Sequence, residues 1–377
     1  MKKLIFKKFL IDISKFFLIS WLAIGIIVWI IQAVNYLDFM VEDGHSFKIY
    51  ILYSILNFPK ILHRLLPFIF FISLIYNLIK YENNNELMIF WTTGISKQKF
   101  INQIIVYSLI VSSFQIILGT FISPFSQNEA RSFLRNSDMS FLPSLMKERK
   151  FIDGVENLTI FIEKKTDEGE LKNIYIKETV KRSAFGGDYQ IIYAKEGQLI
   201  FNDLNKYFEL YDGEIIENKD NEITKISFDQ INFNLNRFKS NTTTYPKLQE
   251  VSSKELLKCL YLNHKYKINS YSFPNLNCVT ERIPDIKQEI NKRFLKPMYI
   301  PLLALSCCFL ILLSKENIKY NRNKFIIFCS CFLLIIFSEI SLRYTLIDNG
   351  TKIFAIIPII IFFLSYVYLS KSVKKLK

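Results

Sequence analysis

The chain has 377 residues, of which 50% are hydrophobic and 22% are charged, and it carries a formal net charge of +14 at pH 7. Polar and apolar residues are segregated along the sequence, whereas a soluble fold of this length would alternate them. A positive charge of this size is typical of proteins that bind nucleic acid or lie against an anionic membrane. The basic residues cluster at the ends of apolar segments, which favours the membrane and leaves nucleic acid a minor alternative.

Six apolar segments are long enough to cross a bilayer, because about 20 helical residues span a hydrocarbon core of roughly 30 Å. They form two groups of three, separated by a long polar stretch. The predicted spans are 14–34, 61–79, 101–123, 294–314, 325–345 and 353–370. The first span is too long for a cleaved signal peptide, so we expect it to remain in the membrane.

The polar stretch between the two groups is predicted to be a separate β domain. Its short β-rich segments are Leu158–Glu163, Ile174–Glu178, Tyr189–Ala194, Gln198–Asn202, Tyr207–Tyr211, Glu214–Glu217 and Ile226–Leu235. Turn residues such as Asp212 and Gly213 separate them, and the last segment alternates apolar residues with asparagines. This pattern predicts a sandwich or jelly roll. The polar segment 251–293 is predicted to be a loose or helical connection back to the membrane.

The predicted layout has three parts. Residues 1–123 hold the first three transmembrane helices, residues 124–290 the β-jelly-roll domain with its connection, and residues 291–377 the last three helices with a basic tail. Sixteen Lys and Arg residues fall in the short loops and tails on the side of the two termini, against Lys48 and Lys352 on the other side. Short basic loops mark the cytoplasmic side. We therefore expect cytoplasmic termini and an extracytoplasmic, periplasmic middle domain.

The six cysteines fall into two sets. Those in apolar spans are expected to behave as small hydrophobic residues and imply no metal site. They are Cys307, Cys308, Cys329 and Cys331. Cys259 and Cys278 lie in the polar region, where the sequence leaves open a disulfide or two unpaired thiols.

The sequence contains none of the common catalytic signatures. It has three histidines and lacks the patterns GxxxxGK[ST], HExxH and GxSxG. We therefore predict a transport protein without catalytic residues or a cofactor of its own. If ATP drives it, a separate subunit must hydrolyse the ATP.

Residues 82–96 are predicted to form a short helix along the cytoplasmic surface. Gly94 is the expected helix stop, and Ser96 is placed to cap the next helix. The segment is either an ordinary interfacial loop or a coupling helix that binds a partner. In the second case Glu86 pairs with a basic residue of the partner, and four exposed apolar side chains fill a groove on it. These four are Leu87, Met88, Phe90 and Trp91.

The run Glu86–Ser96, ELMIFWTTGIS, resembles the E-[IL]-x-x-[ML]-x-x-x-G-[IL]-S loop of the LptF/LptG (YjgP/YjgQ) permeases of lipopolysaccharide export. The six-span plan with a β-jelly roll after the third span is also similar to that family. So is the stretch LPSLMKERKFIDGVENLTIFIEKKTDEGELKNIYIKE at 142–178. The resemblance covers essentially the whole chain. It is closer to LptF than to LptG in residues 151–178 and in the final three spans.

The resemblance implies a heterodimer with an LptG-like permease in the inner membrane of a Gram-negative bacterium. It further implies an LptB-like ATPase dimer in the cytoplasm, and LptC-like and LptA-like proteins in the periplasm. Lipopolysaccharide would leave the outer leaflet of the inner membrane through a cavity between the two permeases and pass to the jelly roll. Glu86, Leu87, Gly94 and Ser96 would then contact the ATPase.

Such a mechanism needs cations at the outer rim of the cavity for phosphates and acidic sugars. The candidates are Arg343 near the outer end of the fifth span, and Arg64 and Lys60 at the outer end of the second. An Arg fork binds phosphate through two hydrogen bonds, whereas Lys acts as a point charge. Glu339 is expected to pair with Arg343 along the same helix. The alternative for all three cations is snorkelling to lipid headgroups.

Two other classes of protein remain as alternatives. A mechanotransmission permease of an ABC system would usually have four spans, with its large domain after the first. A membrane-anchored periplasmic enzyme would need a catalytic constellation in the middle domain, where scattered Asp and Glu leave that reading open.

Overall fold

A computed structural model of the chain describes residues 2–37, 47–135, 148–155, 157–166, 170–179, 189–201, 206–219, 222–235, 246–266, 270–273, 276–312, 314–344 and 350–375. Two compact units divide the chain. The helical unit comprises Met1–Ile31, Leu56–Glu129 and Pro246–Lys377, and the second unit comprises Gln32–Ile55 and Ala130–Tyr245. Residues 246–290 therefore group with the membrane helices. The limits that we placed at 123, 290 and 291 remain predictions.

The helices follow the apolar segments of the sequence. In chain order they are α1 (Lys2–Tyr36), α2 (Phe47–Leu56), α3 (Phe58–Asn83), α4 (Glu86–Thr92), α5 (Lys97–Ile117), α6 (Ser123–Arg135), α7 (Ser253–Tyr266), α8 (Ile283–Phe294), α9 (Tyr299–Cys307), α10 (Tyr320–Tyr344) and α11 (Gly350–Lys375). A π-helical turn, Leu118–Ile122, joins α5 to α6. Short 3-10 turns occupy Leu248–Glu250, Thr280–Arg282, Lys296–Met298 and Cys308–Leu312.

Six helical stretches of the described chain are long and apolar enough to cross a membrane. They are Lys3–Tyr36, Phe47–Asn83, Lys97–Leu134, Thr280–Leu312, Tyr320–Arg343 and Ile356–Lys374. Each overlaps one predicted span, so the six-span prediction is confirmed. Thr345, the last residue of the predicted fifth span, lies outside the described residues.

Side-chain hydrogen bonds join α1 to α3. Trp21 donates from Nε1 to the carbonyl of Leu62 at 2.9 Å, and the Tyr81 hydroxyl donates to Oδ2 of Asp12 at 2.6 Å. In an apolar environment a polar group without such a partner is costly. These bonds therefore fix how the two helices pack around the aromatic and aliphatic core of the unit.

The π-helical turn brings the third span close to α3. A Cβ atom on Gly119 would lie 2.6 Å from Nε2 of His63, so glycine is needed for this approach. Thr120, in the same turn, accepts a hydrogen bond from Oγ of Ser253 at 2.8 Å through its carbonyl. The turn thus connects α3 with the start of α7. Such π-helical insertions are frequent at functional sites.

The second unit contains one antiparallel sheet with its strands in consecutive order. They are β1 (Phe151–Val155), β2 (Leu158–Lys165), β3 (Glu170–Thr179), β4 (Tyr189–Phe201), β5 (Lys206–Lys219) and β6 (Glu222–Asn234). The sequence prediction missed β1. It also divided β4 and β5 into two strands each. Asn202, the end of one predicted strand, lies outside the described residues.

The turn predicted at Asp212 and Gly213 is wrong, because these residues bend a continuous strand. Asp212 has a positive φ of 47°, and pairing with β4 and β6 continues on both sides of it. A Cβ atom on Gly213 would lie 2.3 Å from the carbonyl oxygen of Tyr193. The glycine is therefore explained by close packing against the neighbouring strand rather than by a chain reversal.

The bend extends across neighbouring strands and explains how one sheet builds a core. Phe208 and Leu210 are buried before Asp212, and Gly213 and Ile215 are buried after it. The positions that face the core therefore change from even to odd residue numbers at Asp212. Asn173 in β3, with a φ of 52°, marks the same change between Leu171 and Ile174. Ile174 pairs with Ala194, which pairs with Gly213, so the two bends lie at one level. Side chains on both sides of the bend bury one apolar cluster. The predicted fold class was six membrane helices with an inserted β-jelly roll, and the structure confirms the six helices and a β domain between the two groups, built on a six-stranded antiparallel sheet.

The segment before the fourth span is ordered by a disulfide and a small core. α7 is followed by a hairpin of β7 (Ser270–Phe273) and β8 (Leu276–Val279). Cys259 of α7 and Cys278 of β8 form a disulfide and are both buried. They pack with Val251, Leu256, Leu276, Ile283 and Ile286. The pairing that the sequence left open is thus present in the structure.

Removing this disulfide is expected to destabilise the protein. The two cysteines are 19 residues apart, and a closed loop of about 15 residues restricts the unfolded chain by about 3 kcal/mol. We expect the Cys259→Ala/Cys278→Ala variant to lose about 2–4 kcal/mol in the free energy of unfolding, measured by denaturant unfolding in detergent. Cys329→Ala, which removes a free cysteine, is the control. Equal stability of the double variant and the wild type would contradict the prediction.

Candidate functional site

The loop between the second and third spans folds into α4, whose start is fixed by local hydrogen bonds. Asn85 precedes the helix in the left-handed region, with a φ of 59°. Asn84 donates from Nδ2 to Oε1 of Glu86 at 3.2 Å. Glu86 stands in the first turn, where a negative charge interacts favourably with the helix dipole. The same carboxylate lies 3.8 Å from Nζ of Lys8 on α1.

Gly94 and Ser96 shape the exit from α4. Gly94 adopts a φ of 75°, its N–H donates to the carbonyl of Trp91, and the N–H of Ile95 donates to the carbonyl of Phe90, both at 3.0 Å. This is the Schellman pattern of helix termination, which favours glycine. Oγ of Ser96 accepts from the backbone N–H of Lys99 at 3.3 Å and caps α5. The predicted stop and cap therefore fold as expected, and a contact of either residue with a partner stays a prediction.

One face of α4 is buried in the helical unit. Leu87 is buried and Phe90 is 1% exposed. Five aromatic rings surround the Phe90 ring, with centroids 5.1–6.5 Å away. They belong to Phe6, Phe9, Tyr81, Trp91 and Phe100. The prediction that Leu87 and Phe90 are exposed is wrong, because these side chains anchor α4 to α1, α3 and α5.

The opposite face of α4 remains accessible. Met88 is 57% exposed, and its neighbour Ile89, which the sequence analysis passed over, is 50% exposed. Trp91 is half-buried, with Nζ of Lys97 lying 5.8 Å from its ring centroid. The accessible apolar surface of α4 is therefore centred on Met88 and Ile89.

The same region contacts the end of the fourth span. The backbone N–H of Lys315 donates to Oε1 of Glu82 at 2.9 Å, and Nζ of Lys315 donates to the carbonyl of Asn83 at 3.1 Å. Nζ of Lys97 donates to the carbonyl of Ile311 at 3.3 Å. A pocket of about 170 Å³ lies between these residues, with Met88 and Trp91 in its wall. These contacts join the end of α3 and the start of α5, which flank α4, to the end of the fourth span.

At the other end of the second span, the structure gathers more cations than the sequence analysis identified. Half-buried Lys60 and exposed Arg64 line a pocket with Lys292 and Arg293 of α8. Lys296, buried just beyond α8, adds a positive charge close to His63 in the same region. The signal for the α8 residues was present in the sequence, because Lys292, Arg293 and Lys296 border an apolar segment. Lys292 and Arg293 fall in the predicted connection 251–293, and Lys296 falls in the predicted fourth span 294–314.

Arg293 and Lys296 are already paired within the chain. The Arg293 side chain donates to Oε1 of Glu289, to Oγ of Ser253 and to three backbone carbonyls at 2.8–3.2 Å. Lys296 pairs with Glu339 of α10. The predicted pair between Glu339 and Arg343 is thus replaced by an interhelical pair, and Arg343 is exposed. Arg343 is not among the residues that line the pocket of Lys60 and Arg64.

Comparison with known proteins gives the family. The family model of the "Lipopolysaccharide export system permease LptF/LptG" matches residues 7–372. The chain belongs to the LptF/LptG family. It is also 25% identical over 310 residues to the uncharacterized protein RP871 of Rickettsia prowazekii (strain Madrid E), covering 80% of this chain and 81% of that protein.

Membership of the LptF/LptG family, together with six apolar helices, makes this chain a multi-pass inner-membrane permease of lipopolysaccharide export. As a permease it is a transport subunit, and the family implies a transport complex with partner proteins. The family model does not distinguish LptF from LptG, so the closer likeness to LptF stays a prediction. The roles of the α4 residues and of Arg343, Arg64 and Lys60 stay predictions as well.

Proposed function

We propose that this chain is one permease subunit of an ABC-type exporter that extracts lipopolysaccharide from the inner membrane and passes it to a periplasmic bridge. Its partners would be a second, LptG-like permease, an LptB-like ATPase dimer, and LptC-like and LptA-like periplasmic proteins. ATP would be bound and hydrolysed by the ATPase alone. Arg343, Arg64 and Lys60 would contact the lipid headgroup.

The observation that carries the proposal is that α4 has one face buried in the helical unit and another exposed. Phe90 and Leu87 attach the helix to the core of the unit, while Met88 and Ile89 offer an apolar surface to a partner. A helix that transmits a push needs both properties, since a loosely attached helix would yield instead of moving its neighbours. Glu82 and Asn83 end α3 just before α4 and contact Lys315, which follows the fourth span, so a movement of α4 would reach that span through the end of α3.

Two further observations support the orientation, with both termini in the cytoplasm and the β domain in the periplasm. Basic residues concentrate in the short loops on the side of the termini, which includes the loop that forms α4. The disulfide between Cys259 and Cys278 fits an oxidising compartment on the other side.

The proposal is tested by purifying the complex from native membranes and analysing its proteins and lipids. We expect the wild-type chain to retain a cytosolic ATPase and lipopolysaccharide, and Glu86→Lys to lose the ATPase through charge reversal at the contact. The fold should survive this change, because Glu86 is half-buried and its partner Lys8 is exposed, and an ion pair at the surface contributes only about 0–1 kcal/mol. Glu196→Lys, an equal charge reversal at an exposed position of β4, is the control. A wild-type complex without an ATPase or without lipopolysaccharide would refute the proposal, and undiminished ATPase binding by Glu86→Lys would refute the docking role.

A further inference from the structure

The pocket between α3, the π-helical turn and α8 has an excess of positive charge. Its charged lining residues are Lys60, Arg64, Lys292, Arg293 and Glu289. Glu289 is shared by Arg293, at 3.0 Å, and Lys292, at 3.6 Å. Within the part of the chain that the structure describes, Lys60 and Arg64 form no ion pair closer than 4.0 Å. Among the residues that the structure describes, these two cations of the pocket therefore have no carboxylate in contact.

The cations of the pocket repel one another. Lys60, Arg64, Lys292 and Arg293 line the same small pocket, and one carboxylate, Glu289, stands among its lining residues. Lys60 and Arg64 are four residues apart on α3, a spacing at which like charges destabilise a helix. Gathering them at a partly buried site is unfavourable for the empty protein. An anion bound between them would remove that repulsion.

A buried imidazole adds a second, independent observation. His63 is 7% exposed and lines the pocket, and its Nε2 atom has no hydrogen-bond partner among the described residues. Gly119 leaves room for that nitrogen where any side chain would collide with it. A buried polar atom without a partner is unfavourable, so it is commonly matched by a ligand or an ordered water.

The size and position of the pocket narrow the class of ligand. Its interior has room for little more than one water-sized group, about 20 Å³. A sugar or an acyl chain does not fit into that space, whereas one oxygen of a tetrahedral anion does. Phosphate also suits the donors, since guanidinium forks and ammonium groups are its usual partners in proteins. The lining residues all belong to the helical unit of one chain.

We propose that this pocket binds a phosphate group, held by Lys60, Arg64 and Lys292 and receiving a hydrogen bond from Nε2 of His63. The phosphate comes from a lipid headgroup or from solution, and the site is formed by one chain without a second permease. The inference rests on the proposed function only for the lipid source. Within an exporter, such a site would hold a phosphorylated lipid against the second span before or during extraction.

The test uses the purified complex, freed of lipid and titrated with dioleoyl phosphatidic acid, dioleoylglycerol or inorganic phosphate, with bound ligand counted by native mass spectrometry. We expect phosphatidic acid to bind better than dioleoylglycerol, which lacks the phosphate. Lys60→Gln/Arg64→Gln should bind phosphatidic acid at least roughly tenfold more weakly, since hydrogen bonds to charged groups are worth about 1.5–3 kcal/mol each. Lys99→Gln/Arg322→Gln, which removes two exposed cations elsewhere, should bind like the wild type.

The outcomes distinguish a lipid phosphate from free phosphate, and they test the phosphate site separately from the exporter function. Displacement of phosphatidic acid by inorganic phosphate supports a site open to free phosphate, and binding that resists displacement supports a lipid headgroup. Equal binding of phosphatidic acid by the wild type and Lys60→Gln/Arg64→Gln, at equal melting temperatures, would overturn the inference. His63→Gln, which keeps a donor, should bind more tightly than His63→Leu, and equal binding by these two would remove His63 from the site. A complex that binds phosphate but carries no ATPase would refute the proposed exporter function without contradicting the phosphate site.

Discussion

Replacing Arg293 with methionine is expected to lower the free energy of unfolding by about 3–5 kcal/mol, the usual cost of removing one partner of a buried ion pair. Arg293 is 2% exposed, and its guanidinium bonds Glu289, Ser253 and the carbonyls of the 3-10 turn at Leu248–Glu250 and of Val251. Methionine fills similar volume but satisfies none of these acceptors. The segment that re-enters the helical unit before α7 would lose its attachment to α8.

Denaturant unfolding of the full chain in detergent measures the effect, and proteolysis near residue 250 reports whether the segment is released. Arg282→Met, at an exposed position just before α8, is the matched control and should change stability by less than about 0.5 kcal/mol. Arg293→Lys should recover part of the loss, because a single ammonium group restores the charge but not the planar fork. If Arg293→Met and Arg282→Met unfold alike, Arg293 does not hold the segment.

Replacing Phe90 with alanine is expected to lower the free energy of unfolding by about 3–5 kcal/mol, the range for large-to-small changes at buried aromatic positions. The ring contributes contacts to α1, α3 and α5 at once. Its removal would leave a cavity beneath α4 and loosen the helix. We also expect weaker ATPase association for this variant, because a loose α4 no longer presents a fixed surface.

Met88→Ala separates packing from partner binding. Met88 is exposed, so its truncation should change stability by less than about 0.5 kcal/mol while weakening ATPase association in the purified complex. Phe90→Leu, which refills much of the cavity, should restore both stability and association relative to Phe90→Ala. If Met88→Ala leaves ATPase association unchanged and Phe90→Ala abolishes it without a loss of stability, the assignment of the two faces of α4 is wrong.

The sequence predicted the features that depend on one stretch of chain at a time. The six spans follow from segment length and hydrophobicity, and the stop at Gly94 and the cap at Ser96 follow from local backbone geometry. The strands were found less well where the chain bends. At Asp212 and Gly213, residues typical of turns lie inside a continuous strand, because the sheet bends around its own core there.

The candidate sites depended on contacts between distant residues, and the sequence predicted them only in part. Lys60 and Arg64 were recognised from their place at the end of a span. Their neighbours Lys292 and Arg293 are more than 200 positions away and were assigned to a connection. The helical spacing predicted an ion pair between Glu339 and Arg343. The partner of Glu339 is instead Lys296, in the 3-10 turn that follows α8. Spacing along one helix does not reveal a competing charge on the next.

By itself, the sequence determined that this chain has two groups of three membrane spans around a β domain, because hydrophobic length and strand alternation act locally. Only the tertiary structure decided which side of α4 is free. Its seven residues, ELMIFWT, are apolar almost all the way round, so no periodic pattern selects a buried face. Packing against Phe6, Phe9, Tyr81 and Phe100 selects Phe90 for the core and leaves Met88 and Ile89 outside.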